Sequence, residues 1–398
     1  MKARMIVVYD VIIIGAGAAG LMAAVKALEK SKVLVIEKNI SAGKKLLITG
    51  GGRCNLTNLK ENNIFLEEVK YNKKFLYSAI NKFGPQDIFA YFSNLNQIPL
   101  KEEEDNKIFP KSGKSVDILN VLLENSEKAE FRYEEEVQEI INEKVKKVVT
   151  NRGIYKTKNI IIATGGLSFP QTGSSGDNLK FAKMIDQPIV DIFPAEASIA
   201  TNNNKELAGT TVEEVVVKFG EYKFSGNLMF THKGLSGSAI MKASEHIYKE
   251  NIKQISLDLI PYLTKDELIH ELQSFDREKE TTTFLLKYFT KRLSNYLVER
   301  GKLSKKIKSL TKTEIEILIN LVKNFATTVK SVASVQEAFV TGGGIDMNYI
   351  NSSTMESKIC PGIYFVGEAL DIHGPIGGYN ITLALSTGYL AGSSIKLM

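Results

Sequence analysis

Gly15-Ala16-Gly17-Ala18-Ala19-Gly20 constrains this chain more than any other feature of it. The six residues spell G-x-G-x-x-G, a pattern that is weak when it stands alone. Here the β-branched run Val11–Ile14 precedes it, an alanine-rich helical stretch to about Lys30 follows, and a second apolar run, Val33–Ile36, ends in an acid. Glu37 stands 22 residues after Gly15, the spacing of a carboxylate that receives ribose hydroxyls. Each glycine has its own task. Gly15 permits a tight turn, and Gly17 lets backbone amides close on a pyrophosphate. Gly20 thins the contact between helix and sheet, helped by Ala23, Ala24 and Ala27. The helix start, with Ala18 and Ala19, offers unbonded N–H groups and partial positive charge to phosphates. Such a beginning predicts an α/β fold with parallel strands buried on both faces. The acid at Glu37 disfavours a 2′-phosphate and puts FAD or NAD ahead of NADP at this site.

The remaining glycines outline the rest of the chain. Of 30, seven lie between 15 and 52, four between 165 and 176 and nine between 342 and 388, whereas 191–330 holds only six. Glycine gathers where backbone approaches backbone or ligand. The distribution predicts one Rossmann-like ligand-binding domain built from both ends, 1–190 and 331–398, around an insert. The insert reads as a β-rich, barrel-like part at 191–262 and a basic helical part at 263–330. Expected helices are Asn81–Asn94 and Val116–Glu127, with a charged, solvated loop at Lys101–Lys107. Expected strands are Val137–Ile141, Val145–Thr150, Ile160–Ala163, Val212–Tyr222, Ile255–Leu259, Val335–Val340 and Ile363–Val366. Helical character is expected from Thr264 to Lys330. There is no internal repeat.

The second and third glycine clusters sharpen the ligand. Ile160–Ala163 runs into Thr164-Gly165-Gly166, and the short strand before Gly367-Glu368 likewise ends in Gly-acid. Both features are similar to those of FAD-binding two-domain flavoproteins. That likeness implies a contact from Glu368 to the ribitol chain. Gly377-Gly378-Tyr379-Asn380, continued by Ile381, opens a further helix whose amides would stabilise negative charge at the N1/O2 edge of a reduced flavin. A second dinucleotide fingerprint is missing: Gly342-Gly343-Gly344 lacks the spacing and the following helix. A nicotinamide donor, NADPH or NADH, would therefore dock transiently at the flavin. The two cysteines, Cys54 and Cys360, lie far apart, which argues against a disulfide framework, a CxxC redox pair and a cysteine-rich metal site. No His/Asp/Glu spacing resembles a metal site either.

Four blocks carry a resemblance to a known family: Thr49-Gly-Gly-Gly-Arg-Cys-Asn-Leu-Thr-Asn58, Ala163-Thr-Gly-Gly-Leu-Ser-Phe-Pro-Gln-Thr-Gly173, Phe230-Thr-His-Lys-Gly-Leu-Ser-Gly237, and Thr354-Met-Glu-Ser-Lys358 with Gly377-Gly-Tyr-Asn380. Together they resemble the BaiN/RdsA, or YhiN-like, family of NAD(P)/FAD-dependent oxidoreductases, across nearly the whole chain. The resemblance implies reduction of a carbon–carbon double bond beside a carbonyl, in a uridine of large-subunit ribosomal RNA or in an unsaturated steroid such as a bile-acid intermediate. The chain departs from the family at His373-Gly374-Pro375-Ile376, where Asp-Gly-Asp-Thr is more usual.

Several residues have both a functional and an ordinary reading. Gly50-Gly51-Gly52-Arg53-Cys54-Asn55 would line pyrophosphate and flavin ring, with Arg53 pairing a phosphate or a substrate anion; the alternative is a structural loop with a surface arginine. Cys54 is a candidate proton donor whose pKa Arg53 would lower, or a small packing residue. His232 is a candidate donor from the insert, or braces its own turn. Tyr379 orients substrate, or packs. Lys38, Lys45 and Val137 complete the candidate cofactor-binding set, while His246 and His270 sit in ordinary helical context.

Charge bears on the substrate. The chain carries 51 Lys+Arg against 45 Asp+Glu, a net +6, with 43% hydrophobic and 24% charged residues, which excludes a wholly disordered chain. Residues 291–330 alone hold ten bases against three acids, more than the whole surplus. Arg292, Lys305, Lys306 and Lys308 are candidate contacts to RNA phosphate, unless the face is merely solvated. Tyr9-Asp10 breaks the apolar run after the basic start, so no signal peptide or membrane span is expected and the protein reads as cytoplasmic. The first expectation is therefore an FAD- and NAD(P)H-dependent ene reductase acting on ribosomal RNA. A small-molecule enone or steroid reductase is the second. A non-catalytic, flavin-bound RNA-binding or redox-sensing module is the third.

Overall fold

The computed structural model describes residues 8–202 and 205–396, so the basic opening residues lie outside the described residues. Two compact units emerge: residues up to Phe193 together with those from Val340 onward, and Pro194–Phe339.

In the first unit Val8–Ile14 lies between Val33–Ile36 and Ile154–Ile162, all parallel, with Glu130–Arg132 beyond Val33–Ile36. All four residues of Val33–Ile36 are buried, as a strand covered on both faces requires. Ile154–Ile162 serves two neighbours along one edge. Its first half pairs antiparallel with Lys146–Thr150, and Ile160–Ile162 pair parallel with Ile363–Phe365. That late strand brings the end of the chain beside its beginning. The helices Ala18–Ala27 and Tyr379–Ser393 then meet backbone to backbone. A Cβ on Gly388 would stand 2.2 Å from the Ala19 carbonyl oxygen, and one on Gly392 would stand 2.4 Å from that of Ala23.

Local corrections follow physical rules. The expected helix Asn81–Asn94 is split: Lys73–Lys82 ends, and Pro85–Ala90 starts anew. Gly84 is extended, as a residue before proline is driven to be. Lys101–Lys107 is not a solvated loop. Leu100–Glu103 and Lys107–Pro110 form an antiparallel hairpin that also pairs with Thr57–Asn58, and Ile108 and Phe109 are buried beneath its charged side. The strand expected at Val335–Val340 begins only at Val340 and runs to Ile345, through the three glycines.

The second unit is a closed six-stranded barrel in the order Ile199–Thr201, Gly234–Ser236, Tyr222–Phe230, Thr211–Phe219, Gln254–Asp258 and Phe325–Val332, sealed where Ile199 pairs with Val332. The expected strand Val212–Tyr222 is thus two, Thr211–Phe219 and Tyr222–Phe230, turning at Gly220-Glu221. Helices Lys265–Ser274, Thr281–Leu285, Lys291–Gly301 and Lys312–Lys323 interrupt the barrel before its last strand. Thr264 with Glu267, and Thr311 with Glu314, form capping boxes at two of their starts. The helical expectation to Lys330 overran, because Phe325, Thr327 and Val329 alternate inward on the closing strand. Barrel and helices share one apolar core, in which Leu268, Phe284, Leu297 and Leu318 join Val215, Leu257 and Phe325. Lys323 is 7% exposed; it pairs with Asp258 at 2.9 Å and donates to the carbonyls of Ile260 and Leu263. Among the described residues no helix is long and apolar enough to cross a membrane.

Candidate functional site

At the fingerprint the three glycines separate by what surrounds them. Gly15 has φ +101°, and a Cβ there would meet the Ala163 carbonyl oxygen at 2.6 Å. A Cβ on Gly20 would sit 2.0 Å from the Gly15 carbonyl oxygen. A Cβ on Gly17 would meet nothing within 4 Å beyond its chain neighbours, so the helix start has open space on that side. Two glycines serve the fold, and the third leaves room for a ligand. Glu37 is held by three donors: Ala16 N–H to Oε2 at 2.8 Å, and the backbone and side-chain N–H of Asn39 to Oε1 at 2.8 and 2.7 Å. A carboxylate accepts about four hydrogen bonds, so Oε2 keeps capacity for a hydroxyl. These residues fit a dinucleotide with a free ribose 2′-hydroxyl. Asn39 carried no sequence signal of its own.

A buried polar network joins all three glycine clusters. Glu368 accepts from Lys45 Nζ at 2.7 Å on Oε2, and from Ser168 Oγ at 2.9 Å and Thr341 N–H at 2.8 Å on Oε1. Burial would raise its pKa, but the Lys45 ammonium and the hydrogen bonds outweigh burial and hold it below the usual carboxylate range. Thr341 Oγ1 in turn accepts from the N–H groups of Leu167 and Ser168 at 2.8 and 3.0 Å. Gly166 must be glycine, since its Cβ would fall 2.4 Å from that hydroxyl. Gly165 and Gly367 take left-handed conformations beside the same network, and Thr164 Oγ1 is buried with no partner among the described residues. Ser168 and Thr341 were missed. The signal for Thr341 was its place ahead of Gly342-Gly343-Gly344, a run that reads as no fingerprint.

The loop Thr49–Gly52 places Gly50, Gly51 and Gly52 in succession at φ 56°, 67° and 88°, a left-handed run that only glycine adopts readily. Arg53 is engaged by a carboxylate and a ring of the protein itself. Its guanidinium pairs with Glu103 and lies 4.2 Å above the Phe109 ring. Cys54 is fully buried, and burial pushes its thiol up to about 12, with only a weaker opposing hydrogen bond to Thr49. The lowering expected from Arg53 is therefore reversed. Asn55 donates to the Thr57 carbonyl at 3.1 Å and accepts from Gly378 N–H at 3.2 Å. Asn58 donates to the Gly377 carbonyl at 3.2 Å. The loop thus clasps the start of Tyr379–Ser393, where a Cβ on Gly378 would strike the Thr57 carbonyl at 2.4 Å.

At that helix start the N–H groups of Tyr379, Asn380 and Ile381 have no acceptor within the helix. Tyr379 itself is 3% exposed, stacked on Phe65 at 4.6 Å, and its hydroxyl receives Lys60 Nζ at 3.0 Å. Burial raises its pKa against the pull of Lys60, another residue without a sequence signal. The Asn380 side chain accepts from Gly374 N–H at 3.0 Å and donates to the Gly374 carbonyl at 2.8 Å, which fixes the loop His373–Ile376. Lys38 is bound to Asp177 at 2.7 Å, and Val137 is buried at the start of its strand. No group of His, Cys, Asp and Glu suited to a metal occurs among the described residues.

In the second unit, His232 is exposed on the turn between Tyr222–Phe230 and Gly234–Ser236. The turn is closed by Thr231 N–H to the Gly234 carbonyl at 2.8 Å, without help from the imidazole. Arg292 donates to the Ala208 carbonyl at 2.7 Å, and Lys308 and Lys306 lie 2.7 and 3.8 Å from Glu278. Lys305 is exposed.

Residues 9–394 match the family model described as HI0933-like protein Rossmann domain. The chain is 30% identical over 401 residues to the ribosomal RNA dihydrouridine synthase of Haemophilus influenzae, covering 97% of this chain and 98% of that protein. The protein of the same name from Escherichia coli K12 is also 30% identical, with the same coverage. The 3-dehydro-bile acid delta(4,6)-reductase of Clostridium scindens is 26% identical over 96% of this chain and 97% of that protein. The chain belongs to the HI0933-like Rossmann family, and is an oxidoreductase with a Rossmann-type FAD-binding domain and an inserted unit of closed barrel and helices.

Proposed function

We propose that the protein is a ribosomal RNA dihydrouridine synthase that uses NAD(P)H and FAD to reduce the ring double bond of a uridine in large-subunit RNA. The observation that carries this reading is the 30% identity, end to end, with two proteins of that name. Within the first unit, Glu37 would hold the ribose hydroxyls, and the open helix start at Gly17 the pyrophosphate. The N–H groups of Tyr379, Asn380 and Ile381 would face the charge that develops on the ring system. FAD, when bound, supplies the hydride that adds to the electron-poor ring carbon, and NAD(P)H replenishes it. The neighbouring carbon then needs a proton. A buried Cys54 with its thiol at about 12 is a poor donor. Arg53, held by Glu103 and Phe109, is a positioning residue for the glycine loop.

Mapping dihydrouridine in ribosomal RNA from cells with and without the gene tests the substrate. Loss of one modified position is expected. An unchanged map, with turnover of an unsaturated steroid by the purified protein, would favour the second reading, for which the bile-acid reductase at 26% identity stands. If bound flavin is bleached by neither NADPH nor NADH, the catalytic reading fails.

A further inference from the structure

The second unit rearranges the basic residues that sequence counting had grouped. Residues 276–281 run antiparallel to 304–308: Thr281 N–H bonds the Lys305 carbonyl at 2.7 Å, Ile307 N–H that of Lys279 at 3.1 Å, and Lys308 N–H that of Arg277 at 3.0 Å. Thr281 and Ile307 are buried and anchor this ladder to the core. Ser304 is tied to the next helix, because Glu314 accepts from its N–H and hydroxyl at 2.7 Å each, and from the N–H and hydroxyl of Thr311 at 2.8 and 2.9 Å. The shared Glu314 carboxylate thereby ties the segment carrying Lys302 and Lys305 to the start of the helix Lys312–Lys323.

Across 276–281 and 302–312 there are seven Lys and Arg against three acids. The acids are engaged locally. Asp276 receives the Glu278 N–H at 3.0 Å, Glu280 the Thr282 hydroxyl at 3.2 Å, and Glu278 takes Lys306 and Lys308. Arg277, Lys279, Lys302, Lys305 and Lys312 are exposed and form no side-chain hydrogen bond or ion pair among the described residues. No large apolar side chain of either segment is exposed, so the edge has nothing to insert into lipid. Clustered cations on a rigid, polar edge suit a polyanion whose charges lie outside its stacked interior, which is the surface of folded RNA.

We propose that Arg277, Lys279, Lys302, Lys305 and Lys312 form a phosphate-binding edge that docks the ribosomal RNA substrate, and that Arg292, Lys306 and Lys308 take no part in it. The assignment rests on the RNA reading given above. It adds two cations from outside the basic segment and removes three from within it.

The test compares two variants of the full, FAD-loaded protein. One carries glutamine at the five edge positions; the other carries Arg292→Gln, Lys306→Gln and Lys308→Gln. Binding to a large-subunit ribosomal RNA transcript is measured across a salt series. Each lost phosphate contact should lower the log–log salt slope by about 0.7–0.9, so the first variant should lose roughly 3.5–4.5 and the second less than about one. Flavin absorbance and NAD(P)H oxidation serve as folding controls and should match wild type. Equal slopes in wild type and first variant, or equal losses in both variants, would overturn the edge while leaving the RNA reading standing. Edge-dependent binding to anionic phosphatidylserine vesicles in place of RNA would overturn it too. A wild-type protein that binds no RNA at any salt overturns the RNA reading itself.

Discussion

The two units hold their backbones together by opposite means. In the first, parallel strands are buried on both faces, and helices approach one another with glycine and alanine between them. Gly20 rests on Gly15, Gly388 on Ala19 and Gly392 on Ala23. In the second, an antiparallel barrel closes over a long sequence gap, and charged or polar side chains pin its pieces. Lys323 with Asp258, Glu314 with Ser304 and Thr311, and the Thr264 cap are the pins. Filling space in the first unit should therefore be damaging, and so should removing a charge partner from the second.

The sharpest way to break this contrast lies within the fingerprint. Gly20→Ala puts a Cβ where a carbonyl oxygen already stands, and should destabilise the protein by more than about 4 kcal/mol or prevent its accumulation, as read by thermal denaturation. Gly17→Ala has nothing within 4 Å and a φ of −81°, so stability without ligand should shift by no more than about 0.5 kcal/mol. Its FAD affinity should nonetheless fall, by about tenfold if some 1.4 kcal/mol of phosphate contact is lost. Equal effects of the two substitutions on stability would erase the distinction between fold glycines and ligand glycine.

Next in size is Lys323→Met. It leaves Asp258 buried with Lys218 alone and strips the carbonyls of Ile260 and Leu263 of a donor, so about 3 kcal/mol should be lost in urea denaturation. A neutral result would mean that the apolar core alone closes the barrel. The smallest effect is pH-dependent. Glu314 sits at about 2 in the fold, lowered by the hydrogen bonds from Thr311 and Ser304, against about 4.3 for an unfolded glutamate. Its contribution is complete above about pH 4.3 and is lost as pH falls towards 2. Stability curves of wild type and Glu314→Gln should be separated at pH 7 and converge on acidification. A constant gap would show that the charge is irrelevant.

The same contrast explains what could be read in the sequence. Short-range patterns in the first unit, such as Val33–Ile36, the fingerprint and Glu37, were legible because strand, turn and acid lie within thirty residues. Gly84-Pro85 was also legible in principle, yet the amphipathic pattern through Asn94 masked it. The hairpin around Lys101–Lys107 was hidden because charged side chains dominate its outer face. Thr341, Ser168 and Lys60 could not be found locally, since their partners lie 27 to 319 residues away. In the second unit Phe325–Val332 was lost for a related reason: a strand that closes a barrel is defined by Ile199, far back in the chain. The charge count failed in the same manner. It counted Lys323 with the exposed cations, although that residue is buried against Asp258 and the carbonyls of Ile260 and Leu263.

The seam of Gly388 and Gly392 against Ala19 and Ala23 has a consequence for synthesis. The helix that covers the alanine face of the fingerprint helix leaves the ribosome about 370 residues after it. At about 5–20 residues per second, that is roughly 20–70 s during which the face has no lid. The cofactor site therefore cannot be completed on the growing chain as its motif emerges. Nucleotide capture must await the last helix, and a truncation before Gly388 would leave a signature without a binding site.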